Sequence, residues 1–189
     1  DSVASRGLGD VYKRQTYNLT ATDQAAVVFD TCSNIVVNPY VLSGTDPFET
    51  YTIEVTATNG SGTSGTTTLK VPGKPTYNYD VTGPTAFNVT FTSDLDTNLV
   101  FNLVVFDSVM TQVYSAQITD QNPHTISGLT ANSSYTIYAN ATYTDTQTNG
   151  LYNITTIKTA PSAPSGFAIT STSLDSISIE FDAPPSGVT

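Results

Sequence analysis

An internal repeat is the feature that most restricts how this 189-residue chain can fold. Tyr17-Asn18-Leu19 recurs as Phe101-Asn102-Leu103, and Tyr51-Thr52-Ile53 recurs as Tyr135-Thr136-Ile137, in both cases 84 residues further along the chain. The pattern then continues from AFNVTF to SISIEF with a spacing of about 90 residues. Solenoid repeats usually have about 20 to 50 residues. The longer period therefore predicts whole β-domains arranged in tandem.

Short alternating strands fill each repeat. Tyr51, Ile53 and Val55 alternate with polar residues, which is the pattern of a strand with one buried face. The same alternation returns at residues 87–91 and 177–181, and Gly-Pro, Asn-Pro and Asn-Gly pairs mark turns between the runs. Only 12% of the residues are charged, and Thr, Ser and Asn replace the usual helix-forming residues. The sequence therefore predicts an all-β sandwich.

Residues 75–160 resemble a fibronectin type III domain. The stretch LTANSSYTIYANA, residues 129–141, is similar to that family's Leu-x-Pro-x-x-x-Tyr-x-Ile/Val-x-Val-x-Ala signature. Phe91 and Phe181 stand where the family usually has a core tryptophan. The resemblance implies tandem immunoglobulin-like β-sandwiches of the fibronectin type III kind. It also implies that Tyr51 and Tyr135 are tyrosine-corner residues, whose hydroxyl groups bond to upstream backbone.

The repeat and the resemblance together divide the chain into four segments. Residues 1–15 hold three of the six basic residues and look like a translated sequencing adapter, so we interpret them as a non-native tail. Residues 16–73 correspond to the C-terminal part of a domain, 74–162 to a complete domain, and 163–189 to the first two strands of another. We expect only residues 74–162 to fold well alone, because half a sandwich leaves apolar faces and strand edges uncovered.

A glycine-rich stretch raises the question of nucleotide binding. Gly60, Gly62 and Gly65 have the spacing G-x-G-x-x-G of a dinucleotide-binding loop. Such a loop needs a following helix, whose N-terminus binds the pyrophosphate. The β-branched run TTTLKV follows instead. We therefore interpret the stretch as a hairpin loop, in which glycine permits positive φ angles, and we expect no cofactor.

Residues with catalytic or metal-binding chemistry form no recognisable motif. His124 is the only histidine, and no nucleophile elbow accompanies it, although a triad assembled in space stays open. Cys32 is the only cysteine, which excludes an intrachain disulfide and favours a small apolar filler. Asp94, Asp96 and Asp107 offer carboxylates for calcium, but their spacing matches no calcium loop. We expect no catalytic residue, no metal site and no enzyme.

The charge of the chain restricts its partners. The formal net charge is −10, whereas surfaces that bind nucleic acids are basic, so the charge argues against nucleic-acid binding. A negative surface also disfavours anionic membranes. No apolar run reaches the roughly 20 residues of a membrane-spanning helix. We therefore expect no nucleic acid, no direct membrane insertion, and a protein or glycan ligand.

Two loops and six asparagines are candidate interaction positions. The resemblance implies binding through inter-strand loops, and the candidate residues are Asn59, Gly60, Ser61, Gly62, Thr63, Tyr143, Thr144, Asp145 and Thr146. Sequons for N-glycosylation begin at Asn18, Asn59, Asn88, Asn132, Asn140 and Asn153. Asn59 lies in an expected hairpin loop. Asn88, Asn140 and Asn153 alternate with apolar neighbours, so we expect them to point outward.

Three functions are compatible with these features. The first is a non-catalytic structural, adhesion or protein-binding array of an extracellular or cell-surface protein, which is what the resemblance implies. The second is a set of linker modules in a secreted multidomain enzyme, such as a carbohydrate-active hydrolase. The third is direct carbohydrate binding, which needs an aromatic platform. Tyr77 and Tyr79 are the only aromatic pair that the sequence places outside the strand pattern.

Overall fold

The structure is a computed structural model that describes residues 15–36 and 39–182. The predicted non-native tail, residues 1–15, lies outside the described residues except for its last position. All regular structure in the described part is β, with fifteen antiparallel strands and no helix. That part therefore has no helical segment with the length and apolarity needed to cross a membrane. The all-β fold class predicted from the sequence is confirmed.

Five strands form what we call the first sheet. They are β1 (Thr16–Thr22), β2 (Val28–Ile35), β3 (Tyr51–Asn59), β4 (Gly62–Thr63) and β5 (Thr67–Val71). The order is β2-β1-β3-β4, and β5 also pairs with β3. Leu19 lies opposite Val55, and Ala21 lies opposite Ile53, so the apolar positions of β1 and β3 share one face.

Eight strands form the middle sandwich. They are β6 (Tyr77–Asp80), β7 (Ala86–Phe91), β8 (Leu99–Asp107), β9 (Gln112–Ile118), β10 (His124–Ser127), β11 (Ser134–Tyr143), β12 (Thr148–Asn149) and β13 (Asn153–Lys158). One sheet has the order β10-β7-β6. The other has the order β12-β11-β8-β9, with β13 also paired to β11. This is an immunoglobulin-like β-sandwich of the fibronectin type III kind, as predicted.

The hydrophobic core belongs to the middle sandwich. Alternate residues of β7, β8 and β11 point between the two sheets and are almost completely buried. Phe91 stacks on Phe101 with ring centroids 4.4 Å apart and an interplanar angle of 4°. Both rings are at most 1% exposed. The core cluster extends from Phe87 to Ile157.

Two further strands form a separate hairpin. They are β14 (Ala168–Thr172) and β15 (Ile177–Glu180), which pair only with each other among the described residues. Every residue of both strands is exposed. The strands occur where the sequence predicted the first two strands of another domain. The boundaries between the four predicted segments stay predictions.

The same local motif closes both repeats. The hydroxyl of Tyr135 accepts a hydrogen bond from the backbone N–H of Thr130 at 2.8 Å. The hydroxyl of Tyr51 accepts one from the backbone N–H of Asp46, also at 2.8 Å. In each case the donor lies five residues upstream, which is the geometry of a tyrosine corner.

Candidate functional site

The first candidate loop is an exposed hairpin turn between β3 and β4. Asn59 lies opposite Gly62 in the register, and Gly62 has a φ of +144°, which side chains disfavour. The side-chain oxygen of Asn59 accepts a hydrogen bond from the Ser61 N–H at 2.9 Å, which holds the turn. The glycines lead into β5 and not into a helix, so the loop lacks the helix N-terminus that a dinucleotide needs. The candidate binding residues of this loop stay Asn59, Gly60, Ser61, Gly62 and Thr63.

The second candidate loop differs from the expectation at its first residue. Tyr143 is only 2% exposed, because it ends β11 on the core side of the sheet. Its hydroxyl donates to Asp96 Oδ2 at 2.8 Å. The prediction that Tyr143 belongs to a binding loop is therefore wrong. Thr144 and Asp145 are exposed, whereas Thr146 is half-buried.

This second loop lies at the junction between the first sheet and the middle sandwich. Lys70 Nζ contacts Asp96 Oδ2 at 2.6 Å, and the Thr148 hydroxyl donates to the Lys70 carbonyl oxygen. Gln24 Nε2 donates to Asp94 Oδ2 at 3.2 Å across the same junction. These contacts border a cleft of about 540 Å³. Part of the loop region thus holds two β-units together.

Backbone packing at the junction is also close. A Cβ atom added at Gly150 would lie 2.5 Å from the Pro72 carbonyl oxygen. A Cβ at Gly73 would collide with the Phe48 backbone. Because backbone atoms cannot move aside as a flexible side chain can, both positions require glycine for this arrangement.

Electrostatics at the junction centre on Asp96. Hydrogen bonds from Lys70 and then Tyr143 hold the pKa of the Asp96 carboxyl below its usual value. Burial raises the pKa of Tyr143, and the hydrogen bond to Asp96 raises it further. Asp96 is therefore ionised, and the Tyr143 phenol protonated, across the neutral range. Lys70 and Asp96 are both roughly two-fifths exposed, so water screens their attraction.

The outer face of the middle sandwich carries an aromatic row that the sequence analysis did not single out. Tyr138 packs edge-on against Phe106, with centroids 5.3 Å apart, and against Tyr152, with centroids 6.0 Å apart. Ile154 lies opposite Tyr138 in the register of β11 and β13. Tyr152 and Ile154 are more than half exposed. We call these four residues the outer patch.

The equivalent positions of the first sheet are polar. Thr22 lies opposite Thr52 on the neighbouring strand, and Phe106 lies opposite Thr136. Because Thr52 and Thr136 are equivalent, Thr22 corresponds to Phe106. Glu54 corresponds to Tyr138, at the repeat offset. Its partner on β5 is Thr68, where the partner of Tyr138 is Ile154. The alternation of β8 and β11 in the sequence could have revealed the outer patch, because it places the aromatic residues Phe106 and Tyr138 at positions that should face solvent.

The structure separates the residues considered for catalysis and metal binding. His124 Nε2 is 2.9 Å from Asp120 Oδ1, and Cys32 lies on β2 of the other β-unit. Asp96 precedes the nine-residue strand β8 and Asp107 is its last residue, so the two carboxylates lie at opposite ends of the strand. Asp107 accepts hydrogen bonds from the N–H groups of its own turn. Among residues 15–36 and 39–182, no three His, Cys, Asp or Glu side chains gather as metal ligands.

The six sequons differ in how accessible their asparagines are. Asn140 alternates with the core residues Ala139 and Ala141, so it faces away from the core as predicted, but it is only 5% exposed. It lies on β11, a central strand with neighbours on both sides, where even a non-core residue is covered. The side-chain nitrogens of Asn18 and Asn153 already donate, to Thr58 and to the Pro75 carbonyl respectively.

The remaining sequon residues are Asn59, Asn88 and Asn132, each half-buried. Asn59 and Asn88 accept hydrogen bonds through their side-chain oxygens. Their side-chain amide nitrogens, to which a glycan would be attached, take no part in those contacts. Asn132 has a φ of +52° in the turn before β11. These three stay candidate glycosylation positions.

Tyr77 and Tyr79 do not form an aromatic platform. Tyr77 packs edge-on against the core residue Phe91, with ring centroids 5.8 Å apart. Tyr79 is about half exposed on the same strand, β6. Only one of the two rings is therefore accessible to a sugar.

Comparison with known proteins returns matches to solved structures only. No family model and no curated protein matches this chain. A crystal structure of the chicken CNTN1 FN1–FN3 domains is 14% identical, with a TM-score of 0.38, and the match covers 78% of this chain and 56% of that one. A two fibronectin type III domain segment from chicken tenascin is 17% identical, with a TM-score of 0.43, and the match covers 76% of this chain and 84% of that one.

Proposed function

We propose that this chain is a non-catalytic structural and protein-binding module array that recognises a protein partner through the outer patch. One observation carries the proposal. The first sheet has the same strand order with Thr22, Glu54 and Thr68 at the equivalent positions, so the fold does not require apolar residues there. Tyr152 and Ile154 are exposed, and the half-buried Phe106 and Tyr138 join them in one contiguous apolar surface. Contiguous apolar surfaces of this kind commonly mark interaction sites.

The geometry of the outer patch favours a protein over a sugar. A flat sugar ring stacks on an accessible aromatic face, but Tyr138 is nearly perpendicular to both neighbouring rings, at 82° and 76°. The surface is therefore ridged. Protein interfaces are enriched in tyrosine and phenylalanine and depleted in charge at their centre. Leu151, beside Tyr152, extends the apolar surface.

The junction favours a further role as a spacer. Contacts of Lys70, Thr148 and Gly150 link the first sheet to the middle sandwich and favour one arrangement of the two units. A stiff tandem array keeps flanking domains at a fixed separation. That property also suits linker modules of a secreted multidomain enzyme, which is the second candidate function. A hydrolase domain encoded in the same full-length transcript would decide for it.

We further propose an extracellular or cell-surface location. The support is chemical: Asn59, in an exposed hairpin turn, and Asn88 begin sequons and keep their side-chain nitrogens out of the contacts described above. Expression in a secreting eukaryotic cell followed by glycopeptide mass spectrometry tests this part. Occupancy at Asn59 with none at Asn140 is the expected result.

The binding proposal is tested with a phage-displayed random peptide library selected against the full chain. We expect most selected peptides to lose at least tenfold in affinity when Tyr138→Glu and Ile154→Thr install the residue types of the first sheet. Thr156→Ala, on the same face of β13 but outside the outer patch, is the matched control. Circular dichroism melts verify that each variant folds.

Two results would contradict the proposal. Peptides whose affinity is unchanged by both substitutions would place the interface elsewhere. A glycan array on which the full chain binds oligosaccharides, with binding lost in the same two variants, would assign the outer patch to carbohydrate.

A further inference from the structure

Strand β9 is an open edge of the middle sandwich. Within residues 15–36 and 39–182 it pairs with β8 on one side, and no strand pairs with its other side. The strands before and after it in the chain, β8 and β10, belong to the same sandwich, so the edge follows from the strand order of the sandwich itself. An edge of this kind presents unpaired backbone N–H and C=O groups along the seven residues Gln112–Ile118.

The other long or short edges of the middle sandwich carry features that discourage further pairing, whereas β9 does not. β13, at the opposite edge of the larger sheet, ends in Lys158. β6 and β10 have only four residues each, and β6 ends in Asp80. β9 has seven residues without charge, proline or glycine, and after one register shift at its start it pairs regularly from Tyr114 to Ile118. Because charge, proline, short length and bulges are the usual protection of an edge, β9 is suited to accept another strand.

The charge along β9 permits a second copy of this chain to supply that strand. Residues 108–119 carry no charge, although the formal net charge of the chain is −10. Asp107 and Asp120 are the nearest carboxylates in the sequence, and both lie beyond the ends of β9. Like charges directly opposite each other destabilise a strand pair. Two copies of β9 therefore meet without placing carboxylates opposite each other.

β9 also complements its own antiparallel copy in shape. Two seven-residue strands overlap completely when Ser115 lies opposite Ser115 of the second copy, and Tyr114 then lies opposite Ala116. Opposite residues of an antiparallel pair share a face of the sheet. Tyr114 and Ala116 are half-buried and pack against the core, so each large ring meets a methyl group across the seam. This match is a property of β9 alone, and it favours a second copy over an unrelated peptide.

We propose that β9 is a dimerisation edge, at which β9 of one chain pairs antiparallel with β9 of a second copy around a two-fold axis at Ser115. The two larger sheets then form one continuous sheet. The same residues contribute from both chains, so the interface is isologous and assembly stops at the dimer. The proposal does not rest on the binding role of the outer patch, which includes no residue of β9.

The dimer would place the outer faces of the two larger sheets on the same side, because opposite residues share a face. Each chain keeps its own outer patch on that side. A partner with two matching sites would then engage both chains at once and gain avidity without any new contact.

Sedimentation velocity of the full 189-residue chain tests the proposal. We expect a concentration-dependent equilibrium between monomer and dimer, with no larger species. Ser115→Lys and Ser115→Asp should each raise the dissociation constant by about tenfold, because like charges then meet at the two-fold axis. An equimolar mixture of the two variants should regain the affinity of the unchanged chain, because lysine then faces aspartate.

Matched controls separate edge pairing from a general effect of charge. Thr156→Lys and Thr156→Asp add the same charges to β13, at the opposite edge of the same sheet, and should leave the dissociation constant unchanged. Circular dichroism melts verify that each variant folds. Amide hydrogen exchange of residues 112–118 should slow as the concentration of the unchanged chain rises, because the N–H groups that point away from β8 gain strand partners.

Four results would overturn the proposal. The unchanged chain stays monomeric up to about millimolar concentration, which leaves the edge to an unrelated peptide or to no strand at all. The Thr156 variants weaken association as much as the Ser115 variants, which places the interface elsewhere. The mixture of the Ser115 variants associates no better than either variant alone, which excludes the two-fold axis at Ser115. Species larger than a dimer form, which indicates a heterologous interface.

Discussion

The first sheet and the larger sheet of the middle sandwich share their strand order and much of their register, yet they differ in what covers them. Leu19 faces Val55 in one, and Leu103 faces Ala139 in the other. Tyr17 is 44% exposed, whereas its equivalent Phe101 is completely buried. The difference teaches that strand pairing does not by itself bury a sheet, since the first sheet has full pairing but only a small buried set, Ala21, Ile35 and Tyr51.

The largest expected effect comes from matched core truncations. Phe101→Ala should lower the free energy of unfolding of the middle sandwich by about 3 to 5 kcal/mol, because it leaves a cavity in a close-packed core. Tyr17→Ala should cost less than about 1 kcal/mol, since that side chain is already largely in contact with water. Urea titrations of both variants measure the two values. Equal losses would mean that the first sheet is as well packed as the sandwich.

The tyrosine corner should behave alike in both regions. Tyr135→Phe and Tyr51→Phe each remove one hydrogen bond to a backbone N–H, and each should cost about 1 kcal/mol. Native-state hydrogen exchange of β11 and β3 amides reports the two losses separately. This measurement sharpens the comparison between the two sheets, because the tyrosine hydrogen bond is local, has the same length in both and does not depend on a facing sheet. A Tyr51→Phe variant whose β3 amides exchange no faster would contradict the expected equal loss.

The smallest effect is expected at the junction that links the two regions. Asp96→Asn removes the charge that Lys70 contacts and should weaken the junction by about 0.2 to 1 kcal/mol, since both side chains are partly exposed. The folded-state pKa of Asp96 is lowered. The contribution of ionised Asp96 to the stability of the junction is therefore fully present above the unfolded-state pKa of about 3.9. It is lost as the pH falls through the lower folded-state pKa.

Small-angle scattering between pH 7 and pH 2 follows the distance between the two units. Asp120→Asn is the control, because Asp120 contacts His124 away from the junction and its pKa is also lowered, first by the backbone N–H of Asn122. A junction that loosens equally in both variants would show that Asp96 has no specific part in it.

Much of the fold was predictable because its signals are local. The alternation in residues 51–57 and 87–91 predicted strands, and Tyr135 predicted the corner that closes the sandwich. The candidate sites were predicted less well. Tyr143 appeared to begin a loop, but it ends a buried strand, and Asn140 lies in a central strand where outward-facing residues are still covered.

The sequence by itself determined which residues form strands, which face of each strand is apolar and where the repeat begins again. These properties follow from side-chain period and turn chemistry, which act between neighbours in the chain. Only the tertiary structure decided that Phe101 is buried and Tyr17 is not, and that Tyr138 joins Phe106 and Tyr152 in one patch. Burial and patches depend on which segments meet in space, and these contacts join residues far apart in sequence.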